Sequence, residues 1–152
     1  MALSFGAMLA SISMALTVEV PARGGTYTEG VVGAPRFVNP VLAISEADRD
    51  MAALVFSGLL KTEPDGSLSP DVASLYTISE DKRTYTFTLK DEAIFHDARP
   101  VTAEDVAFTV RAAQNPEIKS PRRANWEGID VAVIDVKTVS FTLKSPYAPF
   151  LE

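Results

Sequence analysis

Apolar and polar side chains alternate strictly in residues 84–89, TYTFTL. Tyr85, Phe87 and Leu89 share one face and threonines occupy the other, which is typical of a strand with one buried side. The preceding segment SLYTI is also predicted to be a strand, and the polar stretch SEDKR separates the two strands. This pattern predicts a β-hairpin with SEDKR as its loop.

The alternation recurs near the C-terminal end, in VAVIDVKTVSFTLK. The apolar positions of this segment that share one face are Val131, Val133, Val139, Phe141 and Leu143. Residues 135–138 separate its two halves, which predicts a second hairpin. Two more strands are predicted before the first hairpin. One is TYTEGVV, residues 26–32. The other lies at the start of the segment LLKTEPDGSLSP and leads into a turn at Pro64-Asp65-Gly66.

Two segments have a helical period. In the first, Ser45 is a predicted N-cap and Asp48 lies at the position that completes a capping box. The helix is predicted to end near Gly58. Its apolar face is predicted from Ala47, Met51, Leu54, Val55 and Gly58.

The second helix follows the sequence IFHDARP, in which Pro100 ends a turn. Thr102 is its predicted N-cap with Asp105 in the box position, and Glu104 adds negative charge at the positive helix end. It is predicted to begin at Ala103 and to end before the sequence Asn115-Pro116. Its apolar face is predicted from Ala103, Val106, Ala107, Val110 and Ala113. Strand-rich segments interrupted by two helices predict an α+β fold with a mainly antiparallel sheet and flanking helices.

Composition and charge narrow the class of protein. At 152 residues, with 47% hydrophobic and 22% charged residues, the chain is long enough for one folded domain. A net charge of -6 argues against a nucleic-acid partner, because no basic stripe is present to neutralise phosphates. The small basic cluster of Lys119, Arg122 and Arg123 is interpreted as a solvated loop.

The N-terminal segment differs from the rest, since residues 1–18 carry no charged side chain. We predict a hydrophobic membrane anchor or signal segment at residues 1–20 and a linker at residues 21–25. An uncleaved anchor is favoured over a cleaved signal because no small-x-small cleavage site precedes the linker. A buried core helix is the third alternative. At the other end, the apolar sequence SPYAPFL, with Tyr147, Phe150 and Leu151 expected to be exposed, favours a native chain that continues past Glu152.

The chemistry that the sequence permits is limited. The chain has no cysteine and one histidine, which excludes disulfides, thiol catalysis and zinc sites built on those residues. His96 beside Asp97 invites a catalytic interpretation, because a carboxylate can orient an imidazole. No activated nucleophile or converging ligand set accompanies them, so a hydrogen-bonded turn or core-edge role for His96 is favoured. We predict no catalytic residues, no metal site and no cofactor.

Three segments together resemble a known family: FSGLLKTEPDGSLSPDVAS, YTFTLKDEAIFHDARPVTAEDVAF and VKTVSFTLKSPYAPFL. They are similar to the solute-binding proteins of peptide-type ABC importers, the oligopeptide- and dipeptide-binding family. The matching positions are Gly58, Leu59, Asp65, Gly66, Leu89, Lys90, Phe95, His96, Asp97, Pro100, Thr102, Ala103, Asp105, Val106 and Phe108. By this resemblance Phe95, His96, Asp97, Pro100, Thr102 and Asp105 form a structural signature. The family commonly has glycine where this chain has Glu92 and Ala98, which predicts a strained or altered turn.

The resemblance implies part of a type II periplasmic-binding-protein fold, with the first strand of the large lobe and most of the small subdomain inserted after it. Residues 26–152 would then be a truncated N-terminal part of the solute-binding domain. The intact protein would bind a peptide, or another small solute such as a nickel chelate, outside the cytoplasmic membrane and deliver it to ABC permease subunits. The resemblance places Arg36, Phe37, Val38 and Asn39 near the ligand cleft, with loop packing as the alternative role of each.

Two other classes of function are weighed against this one. The first is a stand-alone, membrane-anchored module that docks a protein, or a decayed gene product without ligand binding. The second is an enzyme that uses His96 with Asp97, or Glu104 with Asp105. The enzyme is disfavoured because helix capping is a sufficient role for the latter two acids.

Overall fold

The computed structural model describes residues 24–151. The membrane anchor or signal segment predicted at residues 1–20 lies outside the described residues, as does most of the linker. Residues 24–30 contain no helix or strand, and residues from Val31 onward form a separate compact unit. No helix within residues 24–151 is both long enough and apolar enough to cross a membrane.

The described elements alternate between short helices and strands. The helices are α1 (Glu46–Val55), α2 (Ala103–Gln114) and the single turn α3 (Arg123–Trp126). The strands are β1 (Leu60–Thr62), β2 (Leu68–Pro70), β3 (Ala73–Ile78), β4 (Thr84–Leu89), β5 (Asp130–Val133) and β6 (Thr138–Thr142). Short 3-10 helices cover Pro116–Ile118 and Ala148–Leu151.

Four strands form one antiparallel sheet in the order β3-β4-β6-β5. The two predicted hairpins, β3–β4 and β5–β6, are confirmed, and they join through β4 and β6 with Phe87 opposite Val139. Strands β1 and β2 form a separate two-stranded sheet. The fold is α+β with a mainly antiparallel sheet, as predicted.

The core lies between this sheet and α2. Phe87 and Phe141 are 3% and 1% exposed, and their ring centroids are 5.6 Å apart in an edge-on arrangement. Helix α2 buries Ala103, Ala107 and Val110 against β5 and β6. The small alanine side chains on the buried face let the helix lie close to the sheet, so the space between helix and sheet is filled without large side chains from the helix.

The strand predicted at residues 26–32 is wrong, because these residues form no strand. An extended segment becomes a strand only when a neighbour completes its hydrogen-bond ladder, and none of the strand pairs in the described chain involves this segment. Tyr27 and Val32 are accordingly 83% and 97% exposed. The alternation of polar and apolar side chains predicted a strand, but no neighbouring strand in the described chain pairs with this segment.

The first predicted helix is confirmed together with its Ser45 capping box, but its boundary and its buried face differ from the prediction. The helix ends at Val55, before Gly58. Its buried residues are Ala47, Asp48 and Ala52, whereas Leu54 is 80% exposed. The Asp48 side chain points inward because it accepts hydrogen bonds from backbone N–H groups. The helix face that carries Asp48 is therefore the buried one.

The segment around residues 60–70 is a β-hairpin, of which only the first strand and the turn were predicted. Gly66 has φ +84°, the left-handed conformation that glycine adopts without steric cost. Asp65 Oδ1 accepts a hydrogen bond from the backbone N–H of Ser67 at 2.9 Å. Strand β2 was missed because it is only three residues long and contains a proline.

Two predictions about exposure need correction. Tyr147 is 58% exposed as expected, but Phe150 and Leu151 pack against the core in the last 3-10 helix. The Phe150 ring centroid lies 4.6 Å from that of Tyr85. The basic cluster is also not a simple loop, since Arg123 begins α3 and its Nη2 lies 3.3 Å from Glu127 Oε1.

Candidate functional site

The four residues predicted to approach a ligand, Arg36, Phe37, Val38 and Asn39, lie consecutively in one exposed loop. We call residues 36–45 the entry loop; it leads into α1. The Arg36 guanidinium carbon lies 5.8 Å from the centroid of the Phe37 ring, within cation–π distance. Phe37 and Val38 are 36% and 47% exposed. The loop therefore presents a cation and two apolar side chains at its surface.

A single buried carboxylate lies beneath this loop. Asp48 is 1% exposed, and its Oδ1 accepts the backbone N–H groups of Arg36 at 2.6 Å and Phe37 at 3.1 Å. Its Oδ2 accepts those of Ile44 at 3.2 Å and Ser45 at 3.1 Å. These hydrogen bonds, led by those from Phe37 and Arg36, hold the pKa of Asp48 far below its ordinary value.

The tip of the entry loop is closed by Asn39. Its Oδ1 accepts the N–H of Val41 at 2.9 Å, and its backbone carbonyl accepts the N–H groups of Leu42 and Ala43. Ser120 Oγ donates to the Val41 carbonyl at 2.6 Å, which joins the tip to the segment after α2. The side-chain oxygen of Asn39 is thus engaged in loop packing.

Val38 differs from its neighbours in the loop. Neither its backbone N–H nor its carbonyl has a hydrogen-bond partner among residues 24–151. Val38 is 47% exposed as a residue, so an extended molecule can approach the main chain at this point of the loop. The two ends of the entry loop are therefore held by Asp48, while the backbone groups of Val38 between them have no partner in the described chain.

The Phe-His-Asp segment forms a closed turn. The Phe95 N–H donates to the Arg99 carbonyl at 2.8 Å, and Ala98 has φ +66°. The positive φ expected at Ala98 is confirmed, whereas Glu92 is not among the residues with positive φ in the described chain. The Arg99 guanidinium carbon lies 5.3 Å from the centroid of the Phe95 ring.

Asp97 is paired with Arg99 and not with His96. Arg99 donates its Nε–H to Asp97 Oδ2 at 2.8 Å and its backbone N–H to Oδ1 at 3.1 Å, and this pairing lowers the pKa of Asp97. His96 lies in the turn as predicted, but it is exposed and not at the core edge. Its imidazole has no hydrogen-bond partner within the described chain. The geometry supplies nothing that would orient a catalytic imidazole.

The predicted role of the two acids at the start of α2 is confirmed. Asp105 Oδ2 accepts the N–H of Thr102 at 2.9 Å, and the Asp105 N–H donates back to Thr102 Oγ1 at 3.4 Å. Glu104 Oε2 lies 3.5 Å from Arg111 Nη1. Asp105 therefore caps the helix, and Glu104 forms an ion pair with Arg111 along it.

Lys137 holds the Phe-His-Asp segment against the second hairpin. Its ammonium donates to the carbonyls of Lys90 at 3.1 Å and Val101 at 3.2 Å, and Asp91 lies at 3.4 Å. Sequence reasoning missed both this residue and the full role of Asp48. Asp48 carried a partial signal in its capping position, but the carbonyls that the Lys137 ammonium binds lie at least 36 residues away in the chain.

Two other features of the described residues bear on ligands. No three His, Asp or Glu side chains within residues 24–151 converge as a metal site would require. An open groove of about 620 Å³ lies beside the last strand, where Trp126, Lys144, Tyr147 and Phe150 are among the lining residues.

Comparison with known proteins identifies the chain's relatives. Residues 67–152 match the family model "Bacterial extracellular solute-binding proteins, family 5 Middle". The chain is 37% identical over 105 residues to the nickel-binding periplasmic protein of Escherichia coli (strain K12), covering 66% of this chain and 19% of that protein. It is 32% identical over 131 residues to the probable D,D-dipeptide-binding periplasmic protein DdpA of the same strain, covering 80% and 24%.

Solved structures agree with the sequence matches. NikZ from Campylobacter jejuni, in complex with Ni(L-His), superposes with a TM-score of 0.72 at 35% identity, over 78% of this chain and 24% of that one. The murein tripeptide binding protein MppA of Escherichia coli superposes with a TM-score of 0.71 at 27% identity, over 77% and 26%. The fold is therefore part of the type II periplasmic-binding-protein fold.

The chain spans between 19% and 31% of the length of the curated relatives considered. The family model nevertheless covers more than half of its 152 residues, including the Phe-His-Asp turn, α2 and the whole β4–β6–β5 part of the sheet. The chain belongs to family 5 of the bacterial extracellular solute-binding proteins.

Proposed function

We propose that this chain is the N-terminal part of a receptor that binds a peptide outside the cytoplasmic membrane and delivers it to the permease subunits of an ABC importer. The family match over residues 67–152 is the observation that carries this proposal. Relatives of this chain are named as periplasmic proteins that bind nickel, D,D-dipeptides and murein peptides. A peptide is favoured here because an accessible backbone edge and a cation lie side by side in the entry loop.

The entry loop supplies the proposed contacts. The N–H and carbonyl of Val38, which have no partner among residues 24–151, are suited to pairing with the main chain of an extended peptide. Arg36 supplies positive charge for a carboxylate, and Phe37 supplies apolar surface for a side chain. Asn39 keeps its proposed place beside the ligand through its amide nitrogen, since its oxygen is engaged in the loop turn.

The proposal includes a domain organisation. Residues 1–20 anchor the protein in the cytoplasmic membrane, residues 21–25 form the linker, and residues 26–152 begin the solute-binding domain. The anchor rests on the absence of charged side chains in residues 1–18 and on their length, which is near the roughly 20 apolar residues that a membrane span requires.

A second candidate function, a stand-alone module that docks a protein, is favoured by one surface. Ile44, Leu54 and Phe56 are 62%, 80% and 47% exposed around α1. Large apolar side chains that stay exposed around one helix favour a contact with another part of a protein or with a partner. In the importer proposal, later residues of the solute-binding domain cover it; in the alternative, a separate protein does.

Mass and location distinguish these functions. An antibody raised against this sequence is used on membrane and soluble fractions of the native cell, with intact mass spectrometry of the captured species. The importer proposal expects a membrane-bound species far heavier than 16.4 kDa. A stable product of 16.4 kDa would favour the docking module or a decayed gene product instead.

The peptide part of the proposal needs a binding experiment on the captured native protein. Isothermal titration calorimetry with trialanine is expected to show micromolar or tighter binding, with the nickel–histidine complex as the comparison ligand. Binding of the nickel complex with no binding of the peptide would leave a solute receptor but would contradict the peptide specificity.

A further inference from the structure

We propose that Asp48 is a positioning residue for ligand binding: its buried carboxylate holds the two ends of the entry loop together and thereby sets the position of Arg36, Phe37 and Val38. This inference rests on the proposed function, because it assumes that the entry loop contacts the ligand. Asp48 itself is 1% exposed and cannot be the contact.

The carboxylate divides its two oxygens between the two ends of the loop. Oδ1 accepts only from the first end, at Arg36 and Phe37, and Oδ2 accepts only from the second end, at Ile44 and Ser45. Four backbone donors converge on one side chain across a segment of ten residues, 36–45. Removal of either oxygen as an acceptor would release one end of the loop.

A carboxylate is the side chain that this arrangement requires. An ionised aspartate only accepts hydrogen bonds, whereas asparagine would place an NH2 group against two of the N–H donors. A buried donor without an acceptor is costly, so the loop end facing the NH2 group would move away. Glutamate would keep both acceptors but would displace them by the length of one methylene group.

The consequence for a ligand follows from chain connectivity. The two N–H groups held by Oδ1 belong to Arg36 and Phe37, and the next residue is Val38, whose backbone groups have no partner in the described part of the chain. These two peptide units are held on one side of Val38, and the Asn39 carbonyl is held on the other, which limits the directions in which the Val38 N–H and carbonyl can point. Ligand binding then avoids the entropy cost of ordering the loop.

The second capping box of the chain offers a matched control. Asp105 occupies the same box position in α2 as Asp48 does in α1, and its Oδ2 accepts the N–H of Thr102. It accepts no hydrogen bond from a remote loop within the described chain. Asp105→Asn therefore removes the same capping chemistry without releasing the entry loop.

The test compares trialanine affinity of the native protein with that of its Asp48→Asn and Asp105→Asn variants by isothermal titration calorimetry. We expect Asp48→Asn to weaken binding by about tenfold or more, since hydrogen bonds to a charged acceptor are lost. Asp105→Asn should stay within about twofold, since no hydrogen bond joins Asp105 to the entry loop within the described chain. Equal loss in both variants, or no loss in Asp48→Asn, would overturn the proposal.

Amide hydrogen exchange supplies a second readout that does not depend on ligand binding. Exchange at Arg36 and Phe37 should rise in Asp48→Asn and stay unchanged in Asp105→Asn; unchanged exchange in both would overturn the positioning role. If the unaltered protein binds no trialanine, the proposed function and the affinity claim fail together, while the exchange data still decide whether Asp48 fixes the loop. If Asp48→Asn does not fold, Asp48→Glu replaces it with the same expected directions.

Discussion

At the scale of single residues, the described structure uses carboxylates mainly to bind backbone N–H groups. Asp48 organises the entry loop, Asp105 caps α2, and Asp97 closes the Phe-His-Asp turn together with Arg99. His96 and Asp97 are adjacent in the sequence, but in the described structure Asp97 is paired with Arg99 and not with the imidazole. These acids accept hydrogen bonds from backbone N–H groups, from the Thr102 hydroxyl and from the Arg99 guanidinium.

The lowered pKa of Asp48 predicts a specific dependence of stability on pH. A carboxylate whose pKa is depressed in the folded state contributes stability fully when the pH is well above its ordinary value of 3.8. That contribution is lost as the pH falls through the folded-state pKa. The difference in unfolding free energy between the native protein and Asp48→Asn should therefore be constant near neutral pH and should shrink in strong acid.

Urea unfolding at a series of pH values measures this difference. Other carboxyls with lowered pKa values, including that of Asp81 at about 2, are present in both proteins and cancel in the comparison. A difference that grows as the pH falls would contradict the hydrogen-bonded, ionised state of Asp48.

Ala98 predicts a stabilising substitution. It is an exposed, non-glycine residue at φ +66°, a conformation that costs an alanine about 1 to 2 kcal/mol. Ala98→Gly should relieve this cost and, after the greater chain entropy of glycine, raise the unfolding free energy by about 0.5 to 1 kcal/mol. Glu92→Gly is the control, since Glu92 has no positive φ, and it should lower stability by about 0.5 kcal/mol. Equal effects in urea unfolding would show that backbone strain is not the cause.

At the scale of elements, the joined hairpins hold the fold together through Phe141. It is 1% exposed, lies opposite Tyr85 across the β4–β6 pair, and its ring centroid is 5.6 Å from that of Phe87 and 5.8 Å from that of Trp126. Phe141→Ala should lower the unfolding free energy by about 3 to 5 kcal/mol, because the cavity is surrounded by side chains from several elements.

Urea unfolding of Phe141→Ala is compared with that of Leu75→Ala on β3. Leu75 is 51% exposed, so its truncation should cost about 1 kcal/mol or less. Similar losses for the two variants would mean that the β4–β6 junction is not the centre of the core.

At the scale of the whole molecule, the proposed receptor predicts that this chain alone is a poor binder. One side of a cleft leaves most of a ligand's surface in solvent, and small-molecule sites normally bury 70–90% of it. We expect the isolated 152-residue chain to bind trialanine no better than at about millimolar dissociation constants, even where the native protein binds at micromolar. Calorimetry on both proteins tests this, and micromolar binding by the isolated chain would contradict the need for a second lobe.

The sequence by itself determined the parts of this protein that depend on near neighbours. Both hairpins, both capping boxes and the end of α2 at Gln114 follow from residues within a few positions of one another, and the structure confirms them. The family resemblance also depended on ordered local motifs, and the match over residues 67–152 confirms it.

Only the tertiary structure decided the features that need a distant partner. The segment 26–32 has the alternation of a strand but no neighbouring strand in the described chain, so it remains irregular. The inward position of Asp48 depends on N–H groups up to 12 residues away, and the packing of Phe150 in the last 3-10 helix depends on Tyr85 in β4. Periodicity records which face of an element is apolar, but hydrogen-bond partners and core contacts are set by how the elements pack together.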